Sequence, residues 1–434
     1  MPIECDAYFS NSSDLSRLTP NSVAGALEDS MIRHMAAEVR DLRAQGTPVM
    51  NFTIGDFAPS QFPIPPGLRR RIKKHLDAGQ TNYPSADGLP QLRQAIRRLY
   101  KNSLGLDYPE GCVQVGSGAR PPIYATFATV LDPGDMVVYP VPSWNIHYYV
   151  YLQQAKNVPV VTKPENGFMP RAHDLLPHLP KARLVILTSP LNPAGTTISK
   201  ELLRDICEAM VEENRRRRRD GERPVMLLYD QVYWQLTYGQ NRHYTPIELL
   251  PEMARYTILI DAISKNWAAT GLRVGWAVVP PWLRSRMKPF VGHMGAFAGR
   301  AEQLATAELL NETDELKPFM NQFRHGLQLR LNRLHKGLQA MKADGLPVDS
   351  MAPQGAIYLS ARFDGLIGSV LPDGTTLDSD DDMRRHLLHK ANVAIVPFNA
   401  FGYPANTGWV RFAVGAVSLQ DIDTALERLR ALLQ

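Results

Sequence analysis

Between about residues 110 and 280, seven short β-rich apolar runs alternate with helical patterns: CVQVG, DMVVYP, VPVV, RLVILTSP, PVMLLYD, YTILID and RVGWAVV. Brief apolar runs bounded by turn residues fit strands buried on both faces. Strands alternating with helical segments build a mostly parallel sheet with helices on both sides. The expected fold is therefore α/β: a large domain with a mostly parallel seven-stranded sheet sandwiched by helices. From about 281 to 345 the pattern turns helical and includes the charged stretch NETDELKPFMNQFRHGLQLRLNRLHKGLQAM. GAIYLSARF, a helix near 381–391, VAIVPF, GWVRFAVG and a closing helix from about 418 then read as a smaller α+β domain. The division expected is an N-terminal segment, 1–50, that joins the small domain, a large domain over 51–320 and a small domain over 321–434.

A chain of 434 residues with 44% hydrophobic and 21% charged residues has ordinary globular usage and can bury a sizeable core. The net charge of +5 owes much to one run, RRRRRD, Arg215 to Asp220. Such a run can contact nucleic acid or an anionic membrane, but it also suits the end of a polar helix beginning near Ser199, where the dipole favours cations. The helix reading is preferred, and neither nucleic acid nor membrane is expected as a partner. Cys5, Cys112 and Cys207 are few and far apart, so no disulfide framework or zinc motif is suggested. The N-terminus lacks the basic start and apolar core of a signal peptide, and no apolar stretch approaches the ~20 residues of a span. A cytoplasmic location is the expectation.

In open α/β sheets the ligand crevice lies beyond the carboxyl ends of the strands, so the residues just after each run matter most. After CVQV comes GSGAR, Gly116 to Arg120, leading into a helix. A glycine turn at a helix N-terminus presents N–H groups and a positive dipole end to a phosphate, although such turns are also common connectors. After DMVVYPV comes PSWNIH, with Trp144 and His147 near the crevice; the tryptophan either stacks on a flat heterocycle or fills core. SPLNPAG stiffens the turn around Asn192 with two prolines, fixing an amide donor. Asp230 ends PVMLLYD, with Tyr233 three residues later. No second ligand sits at metal spacing, so no metal is expected, and an unpaired aspartate suits a protonated ring nitrogen.

Lys265 and Arg273 are the basic residues of DAISKNWAATGLRVGW, which is otherwise almost uncharged. Burying an ammonium costs on the order of several kcal/mol unless it is paired or neutralised. A phosphate cradle, a stacking ring, an amide and a phenol for a ring oxygen, a carboxylate for a ring nitrogen and an amine together match pyridoxal 5′-phosphate. The amine then forms a Schiff base with the aldehyde, because a desolvated lysine is a usable nucleophile and later a usable base.

From NFTIGDFAP at 51 to WVRFAVG at 409 the chain resembles the class I/II aminotransferases of the fold-type I pyridoxal phosphate enzymes, the aspartate aminotransferases among them. The resemblance implies that Lys265 carries the cofactor, with Asp230 and Tyr233 as its catalytic companions. It gives the phosphate to Gly118, Ala119, Arg120, Ser264 and Arg273, and ring stacking to Trp144. Asp230, supported by His147, would hold the ring nitrogen, while Asn192 and Tyr233 share the ring oxygen. Tyr83 matches a tyrosine that reaches the neighbouring subunit's phosphate, implying a homodimer with shared sites. Arg411 matches the arginine that grips the substrate α-carboxylate, and Gly55 the glycine beside which the substrate is covered. Read alone, an arginine in WVRFAVG would more often face solvent.

Four positions depart from the pattern. Ala262 stands where many relatives have serine, Gln231 and Asp56 where glutamate is common, and Phe398 where glycine is usual. The implied reaction is ping-pong transfer of an amino group from an L-amino acid to a 2-oxo acid. Arg120 aligns with a lysine that reads a distal carboxylate, favouring aspartate or glutamate with 2-oxoglutarate as partner; Tyr83, Trp144 and Trp267 keep an aromatic substrate open. A lyase or decarboxylase on the same scaffold is the alternative reaction, and a DNA-linked regulatory module the alternative class.

Overall fold

The computed structural model describes residues 5, 19–363 and 365–434. Helix α1 (Met31–Ala44) and the short strand β1 (Met50–Asn51) lead into helices α2 (Pro66–Asp77) and α3 (Pro90–Leu104). The seven apolar runs then become β2 (Val113–Ser117), β3 (Met136–Val141), β4 (Lys156–Val161), β5 (Ala182–Thr188), β6 (Met226–Asp230), β7 (Thr257–Ala262) and β8 (Val274–Val278). They form one sheet in the order β2-β8-β7-β6-β5-β3-β4. Every pairing is parallel except those of β8, which runs against both β2 and β7. The connection from Ala262 to Val274 is too short for a parallel crossover, so the chain must reverse there. All residues of β7 and β8 are buried, as a sheet covered on both faces requires.

Between these strands run α4 (Arg120–Val130), α5 (Ile146–Leu152) and α6 (Lys200–Asp220). The arginine run closes α6 as its sequence suggests. Ser199 caps the start by accepting from the Leu202 N–H at 3.2 Å, and Gly221 ends the helix at φ 72°. The run is also engaged in ion pairs: Arg215 with Glu252, Arg216 with Glu213 and Glu222, and Arg217 with Glu213.

After β8 come α7 (Pro281–His293), α8 (Arg300–Asn311) and the long α9 (Thr313–Ala343). Leu327, Leu331, Leu334 and Leu338 recur at helical spacing on the buried face of α9. Strands β9 (Asp349–Ser350) and β10 (Tyr358–Arg362) precede α10 (Asp380–Ala391), which is followed by β11 (Val393–Ala394), β12 (Val396–Pro397), β13 (Trp409–Ala413) and α11 (Leu419–Leu433). A second, antiparallel sheet has the order β12-β13-β10-β9. Position 320/321, where the division into domains was expected, falls inside α9. Phe319 and Met320 pack there against both large hydrophobic clusters, one around each sheet. The N-terminal segment sits with the C-terminal elements: β1 pairs in parallel with β11, and Val39 and Val49 cluster with Leu388 and Ala394. Among the described residues no helix is long and apolar enough to cross a membrane.

Candidate active site

Strands β5, β6 and β7 end at Thr188, Asp230 and Ala262, and all three residues line one cavity of about 420 Å³. Tyr358 of β10 and Arg411 of β13 close it from the second sheet, Thr53 to Asp56 cover it from the segment after β1, and Ile32, Arg33 and Ala36 reach it from α1.

Lys265 stands on a helical turn, Ile263–Asn266, directly after β7. Its Nζ donates to the Gly55 carbonyl and lies 5.8 Å from the centre of the Phe57 ring. Burial pushes its pKa down to about 8; the Asp56 carboxylate opposes that shift, whereas Arg411, Arg273 and Arg120 add to it. About half of this amine is therefore neutral near pH 8, far more than for an ordinary lysine, as a nucleophile requires. Burial likewise pushes the Asp230 carboxyl up to about 6, against the stabilising Val232 N–H that donates to it at 3.1 Å.

The glycine turn approaches Arg273 closely. Gly118 has φ +82°, and a Cβ there would overlap the Arg273 guanidinium. A Cβ on Gly275 would fall 2.6 Å from the Ala119 nitrogen. Arg273 is held by the carbonyls of Thr270 at 2.6 Å and Ser117 at 3.1 Å. The Gly118 N–H already donates to Gly116 at 2.8 Å, and Pro121 and Pro122 have none. That leaves the amides of Ala119 and Arg120 at the start of α4. Beside them Ser264 lines the cavity, and Trp144 does so with the Arg120 guanidinium 5.7 Å from its ring centre.

Arg411 is 1% exposed yet faces no carboxylate among the described residues. It donates to Asn192 Oδ1 at 3.0 Å and to the Thr53 carbonyl at 2.6 Å, while its Nε has no partner. Its Cζ stands 4.7 Å from the Tyr358 ring centre and 4.9 Å from that of Phe401. Burial lowers its pKa, and the nearby Tyr358 and Tyr233 phenols resist that. A buried guanidinium with an unused donor and no counter-ion is arranged for an incoming anion.

One cavity thus gathers Gly55, Ala119, Arg120, Trp144, Asn192, Asp230, Tyr233, Ser264, Lys265, Arg273 and Arg411, with Gly118 behind Arg273. Two expected residues stand elsewhere. His147 lies beside Tyr148, with ring centres 4.0 Å apart, and is not on the cavity wall. The α5 side chains on that wall are Ile146 and Tyr149, and the phenol of Tyr149 feels both Arg120 and Asp230. Tyr83 is 86% exposed beside Phe297, away from its own cavity. Among the described residues no group of histidine, cysteine and carboxylate side chains is placed to hold a metal ion.

Sequence reading missed Tyr358, Tyr149 and Arg33. Tyr358 shares a 2.6 Å hydrogen bond with Tyr233, and its hydroxyl lies where a Cβ on Gly55 would come within 2.8 Å. A tyrosine at the start of a strand carries no sequence signal for such a role.

Residues 47–429 match the family model described as aminotransferase class I and II. The chain belongs to this family. Enzymes of the family depend on pyridoxal 5′-phosphate, and this protein is an aminotransferase. Over 414 residues it is 29% identical to the aspartate aminotransferase of Rhizobium meliloti (strain 1021), covering 95% of each chain. It is 29% identical over 413 residues to an asparagine–oxo-acid transaminase of Streptococcus mutans, covering 94% of this chain and 97% of the relative. The crystal structure of the Rhizobium meliloti aspartate aminotransferase superposes with a TM-score of 0.87 at 28% identity, over 96% of this chain and 99% of the other. The aminotransferase thus shares both the sheet order's α/β class and the family's fold.

Proposed function

We propose that this aminotransferase moves the amino group of a dicarboxylic L-amino acid, aspartate or glutamate, to a 2-oxo acid such as 2-oxoglutarate in a ping-pong reaction, using pyridoxal 5′-phosphate. The observation that carries the reading is a set of three guanidinium groups outside any ion pair, in a cavity whose wall carboxylates are Asp56 and Asp230. Arg273, Arg120 and Arg411 all line the cavity and none is paired with a carboxylate among the described residues. A phosphate and two substrate carboxylates would supply the three missing anions. The relatives named above as aspartate and asparagine–oxo-acid enzymes point the same way.

The residues fit the cofactor on their own geometry. A Cβ would fill the space that Gly118 leaves against Arg273, and Asp230 is a half-buried carboxyl with a single stabilising donor, the Val232 N–H. Arg273, Ser264 and the amides of Ala119 and Arg120 would hold the phosphate, Trp144 the ring face, Asp230 the ring nitrogen, and Asn192 and Tyr233 the ring oxygen. When bound, pyridoxal phosphate supplies an aldehyde for exchange with the amino group and a ring that stabilises the negative charge left at Cα. Asp230, once ionised against a protonated ring nitrogen, keeps that proton in place. Lys265 would take the Cα proton as base and then, as acid, deliver it to the cofactor carbon that carried the aldehyde. Arg411, with its fork, fixes the α-carboxylate so that the Cα–H bond points at Lys265. Arg120 would take the distal carboxylate. The Tyr358–Tyr233 bond and the Asn192–Arg411 bond tie the ring-oxygen donors to the carboxylate grip, so both are set together.

The same reading makes the protein a cytoplasmic homodimer in which Tyr83 completes the partner's phosphate site, which its exposure supports. It also divides the chain into an N-terminal segment, a large cofactor domain and a small C-terminal domain. Tyr149 and Trp144 on the wall favour, as a second reading, an aromatic donor. The test loads the protein with cofactor and adds each amino acid with no oxo acid present. Stoichiometric release of oxo acid, about one per subunit, fastest from aspartate or glutamate, is expected of the ping-pong half-reaction. Faster release from phenylalanine or tyrosine would replace the dicarboxylate reading with the aromatic one, and no release from any amino acid would overturn the proposal.

A further inference from the structure

A second cavity, of about 910 Å³, opens at the other end of the large sheet, where the strands of the parallel core begin. Arg183 at the start of β5, Pro224 before β6, Tyr256 before β7 and Cys112 before β2 all lie on its wall. We propose that this cavity is a binding site for a small, flat aromatic carboxylate, separate from the site of amino transfer.

Arg183 is 8% exposed and lies in no ion pair among the described residues. One Nη donates to the Pro224 carbonyl, and Nε has no partner. Among the described residues only one other buried arginine has an unpartnered Nε: Arg411, in the cavity of the amino-transfer site. Tyr108, also 8% exposed and on the same wall as Arg183, has an unpartnered hydroxyl. On this wall the Arg183 guanidinium has a single nitrogen engaged, so it can receive a ligand that brings acceptor oxygens. A carboxylate matches the guanidinium best.

Neighbouring charges favour an anion. Burial pushes the Arg183 pKa down to about 10; Arg223 and Arg217 add to this, while Asp135 and Asp132 oppose it. Those two acids are already engaged by Arg223, at 3.0 and 2.6 Å, and Glu222 on the wall is taken by Arg216 at 2.8 Å. Arg218 is likewise committed, to Tyr256 Oη at 2.7 Å and Glu252 at 3.4 Å. Arg255, exposed on the rim, is in no ion pair among the described residues. The remaining wall is flat and apolar: Tyr256, Pro109, Pro280, Pro281, and Trp282, which is 50% exposed at the mouth. Rings and prolines of this kind suit a planar aromatic body, with the rim arginine drawing its charge inward.

Calorimetric titration of the cofactor-loaded enzyme with 2-naphthoate tests this without reference to activity. Saturable binding at one site per subunit is expected, weakened about tenfold by Arg255→Glu and by Trp282→Ala, and by about as much when the uncharged 2-naphthalenemethanol replaces the acid. Both substituted positions are exposed and remote from Lys265, so basal amino transfer should be unchanged and certifies folding. Arg411→Lys should leave the titration as it was. Absence of saturable binding, equal binding of acid and alcohol, or an affinity that neither rim substitution moves would overturn the proposal. So would loss of binding in Arg411→Lys, which would put the probe in the amino-transfer site.

Discussion

Arg411 is buried and Lys265 half-buried, neither is in an ion pair among the described residues, and each has a specific consequence. Arg411 offers a planar fork whose Nε is unused. Replacing it with lysine keeps the charge and removes the fork, so kcat/KM for the amino donor should fall by about 2 kcal/mol, roughly thirtyfold. The loss should lie mainly in KM, measured by steady-state kinetics, and an unchanged KM would remove Arg411 from the carboxylate grip. Lys265 has its pKa pushed from 10.5 to about 8. Below about pH 8 folded and unfolded chains both carry its proton, and the native state bears the full burial penalty. Between about 8 and 10.5 only the unfolded chain binds the proton, so stability rises with pH; above 10.5 it levels. Denaturant unfolding of the cofactor-free protein should therefore gain on a Lys265→Met variant as pH rises through that window. Parallel curves for the two proteins would mean that the amine is not desolvated.

At the scale of elements, the site depends on two glycines brought together by β2 and β8. Gly275 lies opposite Gly116 in the antiparallel register, and a Cβ on it would run into the Gly118–Ala119 backbone. Gly275→Ala should cost about 2 kcal/mol by overpacking, because backbone rather than a flexible side chain would have to move. Cofactor affinity should fall with it. Gly271→Ala, where nothing lies within 4 Å, is the matched control and should be near neutral in both measurements. The strands themselves were legible because each is a local apolar run, and the observed boundaries fall within a residue or two of YTILID or RVGWAVV. The phase of α5 was not. Asn145 takes φ 53° just before the helix, and the turn of the helix that follows puts Ile146 and Tyr149 on the wall rather than His147. Spacing along a sequence fixes which residues share a helix face; it does not fix which face turns inward.

At the scale of the molecule, the exposed Tyr83 ring makes the shared-site proposal testable. Mixed subunits carrying Lys265→Ala or Tyr83→Ala can form hybrid dimers in which one site holds both native residues and the other holds neither. After co-refolding, activity should exceed the sum of the two parent preparations. Strict additivity would mean that Tyr83 acts within its own subunit or not at all. The arginine run of α6 shows the opposite relation between sequence and assembly. It stands out as a charge block, yet Arg215, Arg216 and Arg217 each meet a carboxylate of the same chain.

The sequence by itself determined the α/β class, the seven strands and the strand-end residues Asp230, Asn192 and Lys265, because hydrophobic period and turn chemistry are local. With the family motifs it also singled out Arg273 and Arg411. Tertiary structure alone decided what those residues meet. Arg411 bonds to Asn192 and Thr53 across separations of 219 and 358 residues. Tyr358 lies under the guanidinium, and Arg183 is left with an unused donor at the far end of the sheet. Burial and convergence set the charge state of an amine and the partners of an arginine. Both arise only when two sheets far apart in the chain pack together and exclude water.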